Sequence, residues 1–152
     1  MTAGAGNRRA RGQAGQALVE FALVAFLTII MLLFVVETAR MVLIYTAVAD
    51  SAREGVRYAI VHGSTRPTGT AQYDASGPGN TAQVLAVVNN FAGSAPLSLS
   101  LLAGNVTVTY PNSSNAPGQP VNVKVVYPYN PLTTFFPATL RLGSVSQGII
   151  LF

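Results

Sequence analysis

Residues 18–36 read LVEFALVAFLTIIMLLFVV, an almost unbroken apolar run interrupted by a single acid, Glu20. Together with Ala17 the run has about 20 residues, and a helix of that length spans about 30 Å, the thickness of the hydrocarbon layer. An ionised side chain at mid-bilayer costs roughly 2.5–3.5 kcal/mol, and less near the edge. The run therefore predicts a membrane-spanning helix over residues 17–36 whose one carboxylate needs a partner.

A secretory signal peptide is the alternative interpretation of this segment. Its apolar core would have about 7–15 residues and would be followed by a small-x-small cleavage site. Here the core is longer, and Glu37, Thr38, Ala39 and Arg40 follow it without a turn. These features favour a helix that is retained.

Residues 1–15, MTAGAGNRRARGQAG, have the composition of a disordered leader. The leader contains Arg8, Arg9 and Arg11, and arginine beside an apolar segment marks the cytoplasmic side of the membrane. We therefore expect a single-pass protein of the cytoplasmic membrane, with its N-terminus inside and its C-terminus outside.

Charge and residue types exclude several functional classes. Without the three leader arginines the formal net charge falls from +4 to +1, so the basicity does not indicate nucleic-acid binding. Cysteine is absent, which excludes disulfides and thiol nucleophiles, and His62 is the only histidine. We expect no catalytic site, no cofactor and no metal site, and a membrane-anchored hydrolase is the weakest reading of this chain.

The helical pattern continues beyond the membrane segment. From Glu37 to Val61 there is no proline, and Gly55 is the only glycine. Gly63 and Pro67 supply the stop, so one helix is predicted over residues 16–63, with His62 decorating its end. The spacing of three and four that indicates a continuing helix is kept by Ala39, Val42, Leu43, Thr46, Ala47 and Asp50. The second half of the helix is expected to present alanine-rich and apolar residues on one face to a domain.

Residues 64–152 are predicted to form an extracytoplasmic domain with a short helix and a sheet. After a loop over residues 64–79, Asn80 or Thr81 would cap a helix that ends at Gly93. Its apolar side would carry Val84, Leu85, Val87, Val88 and Phe91. Strands are predicted at 97–101, 106–110, 121–127 and 144–151, with turns over 111–120. The fold class is α+β: a long N-terminal helix packed on a small antiparallel sheet.

Several charged residues of the long helix have two interpretations. Glu37 marks the outer membrane interface with Arg40 one turn later, or pairs with another subunit. The cluster of Asp50, Arg53, Glu54 and Arg57 is a solvated face, or sets the register between packed helices. Asp50 with Arg53, and Glu54 with Arg57, have the i,i+3 spacing of helical ion pairs. Gly55 either permits close backbone approach to the sheet or is only tolerated.

Two motifs resemble those of a known family. The run Gly15-Gln16-Ala17-Leu18-Val19-Glu20-Phe21 resembles the processing site of type IV pilins in its Flp and Tad variant: glycine, four residues, glutamate, then an aromatic. The later run SAREGVRYA, residues 51–59, resembles the second hallmark of TadE-like proteins of tight-adherence pilus systems. The resemblance spans about residues 12–63 and implies a type IV pilin-like fold.

The resemblance implies how such a chain is processed and assembled. A prepilin peptidase would cut between Gly15 and Gln16, and Glu20 would become the fifth residue of the mature chain. In type IV pilins that acid pairs with the N-terminal amine of a neighbouring subunit, which neutralises two buried charges in one contact. The alternative is that Glu20 lies near the cytoplasmic edge and snorkels into the headgroups.

The function implied is that of a structural subunit, a TadE-like minor pilin or pseudopilin of a surface pilus. Its partners would be the prepilin peptidase, the membrane, the pilus assembly platform and other pilins, with self-association through the N-terminal helices. Two other roles stay open. The chain could be the major filament subunit, or a single-pass anchored binding module without a filament.

Overall fold

The computed structural model describes residues 6–65, 76–96, 98–101, 103–132 and 139–152, with only the backbone of residues 6–14 and Ala103. In chain order the elements are α1 (Gly6–Val61), α2 (Ala82–Ser94), a one-turn 3-10 helix (Ala103–Asn105), β1 (Val106–Thr109), β2 (Pro120–Tyr129) and β3 (Leu140–Ile149). The chain divides into two compact units, Met1–Ala39 and Arg40–Phe152. The predicted α+β class, with a long N-terminal helix and a small antiparallel sheet, is confirmed.

The N-terminal unit consists of the first part of α1. The prediction of a disordered leader is wrong for residues 6–15, which are helical. Alanine and arginine favour helix, and no proline interrupts residues 6–15, so the helix extends backward from the apolar run. Within the described part of the chain, one helical stretch, Gly15–Val61, is long and apolar enough to cross a membrane.

The core of the C-terminal unit lies between two helices and one face of the sheet. It joins α1 residues from Ile44 onward to α2 and to the valines of β2. The buried apolar residues of the helices are Ile44, Val48, Ala52, Val56 and Ala59 of α1, and Val84, Val88 and Ala92 of α2. Those of the sheet and its flanks are Leu99, Val106, Tyr110, Val121, Val123, Val125, Tyr129 and Ile150.

The residues whose spacing indicated that α1 continues are helical, but most of them are not the residues that pack on the domain. Val42, Leu43, Thr46 and Asp50 are exposed, and Ala47 is half-buried. The buried stripe instead runs from Ile44 to Ala59 at spacings of four and three. Because most positions of this stretch are apolar, more than one stripe has helical spacing, and spacing alone does not choose between them.

Gly55 lies where α1 passes close to α2 and β2. A Cβ atom at this position would be 2.5 Å from a methyl group of Val88 on α2 and 3.2 Å from one of Val123 on β2. Real side chains do not approach so closely, so any larger residue would push α1 away from both neighbours. Of the two interpretations of Gly55, close backbone approach is the correct one.

The sheet is a three-stranded antiparallel meander in the order β1-β2-β3. Val106 pairs with Val125 and Val108 with Val123 across β1 and β2, while Val125 also pairs with Ser144 of β3. The predicted strands at 106–110, 121–127 and 144–151 are confirmed, although β2 and β3 are longer. Both α1 and α2 cover the apolar face, as expected.

The strand predicted at 97–101 is absent from the described part of that range. Residues 98–101 are irregular, and a 3-10 turn follows at Ala103–Asn105. Leu99 is buried nevertheless, and its backbone N–H donates to the carbonyl oxygen of Ala92 at 2.9 Å. Leu99 therefore anchors the chain after α2 instead of forming part of a strand.

α2 starts and ends where the sequence predicts, but one of its residues faces another way. Its N-cap is Thr81, whose side chain makes no capping hydrogen bond. Val84 and Val88 are buried as expected, whereas Phe91 is 39% exposed and Ala92 occupies the core position. Phe91 was expected in the core, so this prediction is wrong.

His62 directly follows the last residue of α1, at the helix end as predicted, and its side chain is buried. Only 5% of the residue is exposed, its ring stacks on Tyr58 at 3.7 Å, and its Nδ1 donates to the Tyr58 carbonyl oxygen at 2.8 Å. Beside it, Gly63 contacts Ile150 and the carbonyl oxygen of Phe152. The C-terminal residues thus close over the end of α1. Of the predicted loop 64–79, residues 66–75, with Pro67, lie outside the described residues.

Candidate functional site

The predicted processing and assembly residues lie on successive positions of α1 in the N-terminal unit. Gly15, Gln16, Glu20 and Phe21 are all helical and exposed. A Cβ atom at Gly15 would have no atom within 4 Å. A glycine inside a helix costs roughly 0.5–1 kcal/mol relative to alanine. Packing in this structure therefore gives no reason for glycine at position 15.

Glu20 differs from the other polar group of the apolar segment. The Thr28 hydroxyl donates to the Val24 carbonyl oxygen at 2.8 Å, which satisfies it within its own helix. Glu20 is exposed and makes no hydrogen bond or ion pair with any residue that the structure describes. In an apolar environment Glu20 is thus the group of residues 17–36 that requires an external partner.

Glu37 and Arg40 are placed differently from each other. Glu37 is buried, with 2% of its surface exposed. In the C-terminal unit, Arg40 donates from Nη1 to the Asn130 carbonyl oxygen at 3.1 Å, and its guanidinium lies 5.2 Å from the centre of the Tyr129 ring. Arg40 is thus engaged within its own unit, and the pairing of either residue with another subunit stays a prediction.

The charged cluster of α1 is a mostly solvated face. Arg53 Nη1 lies 2.7 Å from Asp50 Oδ1, and both side chains are at least half exposed, which confirms the predicted i,i+3 pair. Between Glu54 and Arg57 the structure has no ion pair. Exposed pairs of this kind contribute about 0–1 kcal/mol. A role of the cluster in helix register stays a prediction.

Sequence reasoning missed a groove in the C-terminal unit. The groove has a volume of about 380 Å³. It is lined by Leu43, Thr46, Ala47 and Asp50 of α1 and by Phe91, Ser94, Ala95 and Pro96 at the end of α2. Its α1 wall belongs to the stripe whose spacing of three and four indicated the helix. The signal that could have revealed it is the presence of two apolar stripes on one helix, because a helix on one domain uses only one of them for the core.

A buried polar contact near the C-terminal core was also missed. The hydroxyl groups of Tyr110 and Ser76 lie 2.5 Å apart, and the Asn115 side-chain amide donates to the Ser76 carbonyl oxygen at 2.9 Å. Burial raises the pKa of Tyr110 above its ordinary 10.0, and the hydrogen bond with Ser76 offsets part of that rise. These residues are far apart in sequence, so no local pattern connects them.

Throughout the described residues no group of three or more histidine, cysteine, aspartate or glutamate side chains is arranged to hold a metal ion. The residues of interest are instead a glycine, a lone carboxylate, an aromatic and a long apolar surface. Such a set suits association between chains.

Comparison with known proteins gives one family match. The family model described as TadE-like protein matches residues 15–57, which is under a third of the chain. Neither the curated proteins nor the solved structures that were compared include a match to this chain. The matched segment starts at Gly15, contains Glu20 and Phe21, and ends at Arg57 within the second motif. The match confirms the resemblance: residues 15–57 are similar to TadE-like proteins.

Proposed function

We propose that this chain is a structural subunit of a Tad pilus, a minor pilin or pseudopilin that enters the filament through its N-terminal helix. The observation that carries the proposal is the environment of Glu20. The only charged group of residues 17–36 lies five positions after Gly15 and has no described partner in its own chain. The TadE-like match over residues 15–57 supports the same role.

Processing would create the missing partner for Glu20. Hydrolysis of the Gly15–Gln16 peptide bond adds water, leaves a carboxylate on Gly15 and frees the amine of Gln16. This amine is protonated at neutral pH, because an α-amino group has a pKa of about 7.7–8.0. The Glu20 carboxylate of one copy would then pair with the new ammonium group of another. Because each charge offsets the desolvation of the other, the pair suits an apolar helix bundle.

The apolar surface of the N-terminal unit supports assembly through helix packing. Phe21 and Met31 are 73% and 69% exposed, and no part of the most apolar window of the helix is buried within the chain. In a bilayer, lipid tails cover this surface, so leaving the membrane requires an equally apolar replacement. The corresponding helices of neighbouring subunits supply one.

The proposal also specifies topology and partners. The leader arginines keep the N-terminus in the cytoplasm, and the unit from Arg40 onward lies outside before assembly. The prepilin peptidase, the pilus assembly platform and other pilins are the proposed partners, and the cell-surface pilus is the final location. The role is assembly without catalytic turnover.

Intact mass spectrometry of the native protein tests this proposal. We expect the mature chain to lack the first 15 residues and to begin at Gln16. Gly15→Val should block cleavage and leave a precursor, because a branched side chain does not fit a site that selects glycine. Gly12→Val is the matched control, since Gly12 is also followed by glutamine in the leader, and it should be cleaved normally.

Two results would contradict the proposal. One is a native protein that retains Arg8, Arg9 and Arg11 while the peptidase is active. The other is a correctly cleaved protein that is absent from purified pili, which would favour the anchored binding module.

A further inference from the structure

The groove of the C-terminal unit has two walls made mainly of apolar side chains. Leu43, on the α1 wall, is 51% exposed, and Phe91, on the α2 wall, is 39% exposed. Ala47 and Pro96 add small and rigid apolar surface between them. Neither Leu43 nor Phe91 is needed to fill the core, which is occupied by Val48 and Val88. Their apolar area therefore remains available to a ligand.

The charge of the groove restricts what it can bind. Asp50 is its only charged residue, and Arg53 already lies 2.7 Å from the Asp50 carboxylate. A basic partner would gain little from the Asp50 carboxylate, because Arg53 already neutralises it. An acidic partner would find no cation among the residues that line the groove. The groove thus favours an uncharged apolar occupant.

The chain itself contains such an occupant. Residues 21–36 include no charged residue, and their large apolar side chains are exposed in the N-terminal unit. An apolar helix that lies in a groove between two other helices is a common recognition mode, in which side chains at helical spacing act as anchors. A second copy therefore provides the uncharged apolar helix that the groove favours.

We propose that the groove between α1 and the end of α2 binds the apolar helix, residues 21–36, of a second copy of this chain. This inference rests on the proposed function, because it specifies where the helix of one subunit contacts the domain of the next. It adds a contact that the family motif does not contain, since Phe91 lies outside the matched residues 15–57.

Site-specific photo-cross-linking tests this contact in the full-length chain. Phe91→p-benzoylphenylalanine places an aromatic probe in the groove, and irradiation of cells that make the protein natively is followed by peptide mapping. Labelled and unlabelled copies are mixed, so that links between copies are distinguished from links within one. We expect a covalent dimer in which residue 91 is joined to residues 21–36 of the other copy.

Two further probe positions serve as control and confirmation. Asn90→p-benzoylphenylalanine is the matched control, because Asn90 is exposed on α2 next to Phe91 but does not line the groove. The probe at position 90 should give no cross-linked dimer. Leu43→p-benzoylphenylalanine, on the opposite wall, should produce the same dimer as the Phe91 probe, which guards against misfolding of a single variant.

The inference is overturned if both groove probes link only to lipid, to another protein, to a different segment of the second copy, or to nothing. Intact mass and pilus content of the same samples separate this outcome from failure of the proposed function. A cleaved chain that is present in pili without the link contradicts the groove contact alone. A linked dimer of uncleaved chains that never enters pili contradicts the filament proposal and leaves the groove contact supported.

Discussion

Two glycines of α1, Gly15 and Gly55, have different surroundings. At Gly55 the neighbouring methyl groups of Val88 and Val123 leave no room for a Cβ atom, so packing requires glycine. At Gly15 there is no atom within 4 Å, so the folded chain would accept a larger residue. The cost of glycine in a helix is thus explained by packing at position 55 and requires another reason at position 15, which the proposed cleavage would supply.

Tyr110 is the residue whose ionisation should affect stability. Its hydroxyl lies 2.5 Å from the buried Ser76 hydroxyl, in a site that raises the pKa of Tyr110 through burial. A raised pKa means that the folded state favours the neutral phenol more strongly than the unfolded state does. The resulting stability is complete below pH 10, the ordinary pKa, and is lost as the pH rises through the higher pKa of the folded state.

Tyr110→Phe is predicted to lower stability at neutral pH and to weaken its decline in alkali. Loss of the hydroxyl leaves Ser76 without this buried partner, which should cost about 1–2 kcal/mol. Thermal unfolding of the detergent-solubilised chain, followed from about pH 8 to pH 12, measures both effects. Tyr45→Phe is the control, because Tyr45 is exposed. The prediction would be contradicted if the stabilities of the wild type and of the Tyr110 variant fell equally as the pH rises.

At the scale of elements, α1 carries two apolar stripes with different roles in the C-terminal unit. The stripe from Ile44 to Ala59 is buried against α2 and β2, and the stripe with Leu43 and Ala47 lines the groove. Burial of a valine or leucine side chain contributes about 1.5–3 kcal/mol, so only the first stripe should affect folding strongly.

A pair of alanine substitutions distinguishes the stripes. Val48→Ala should destabilise the C-terminal unit by about 2–3 kcal/mol, because Val48 is fully buried and its loss leaves a cavity. Leu43→Ala removes more atoms but should change stability by less than about 0.5 kcal/mol, because Leu43 is half exposed. Chemical denaturation of the full chain measures both. An equal loss in the two variants would mean that the groove wall belongs to the core.

At the scale of the whole molecule, membrane insertion and assembly impose opposite demands on Glu20. A carboxylate at position 20 makes the segment less favourable in lipid than an apolar residue at the same position would. A benefit outside the isolated chain must offset this cost, and the amine of a neighbouring copy is the benefit that we propose.

Glu20→Val is predicted to leave the protein at normal levels in the membrane and to impair its entry into pili. Removal of one partner from a buried ion pair costs about 3–5 kcal/mol, which corresponds to a reduction in incorporation of about two orders of magnitude or more. Thr28→Val is the matched control, because it also makes the segment more apolar, yet the Thr28 hydroxyl is satisfied within its own helix. Immunoblots of membranes and of sheared pili measure both locations. Normal pilus content of the Glu20 variant would favour the snorkelling interpretation.

The sequence by itself determined the parts of this protein that depend on local order along the chain. The apolar run, the helix end near Val61, the alternating valines of β1 and β2, and the motif from Gly15 to Phe21 were all readable without coordinates. Hydrophobic spacing and residue type determine such features, because the residues that cause them are neighbours on one helix or strand.

Only the tertiary structure decided which apolar surfaces are used for the core. It buried Ile44 and Val48 instead of Leu43, turned Phe91 toward a groove, and placed His62 in the interior. These choices depend on how α2 and the sheet fit around α1, and the space at Gly55 sets how closely they approach. The physical reason is that packing selects among helical faces of similar hydrophobicity by shape, and shape is a property of residues that are distant in sequence.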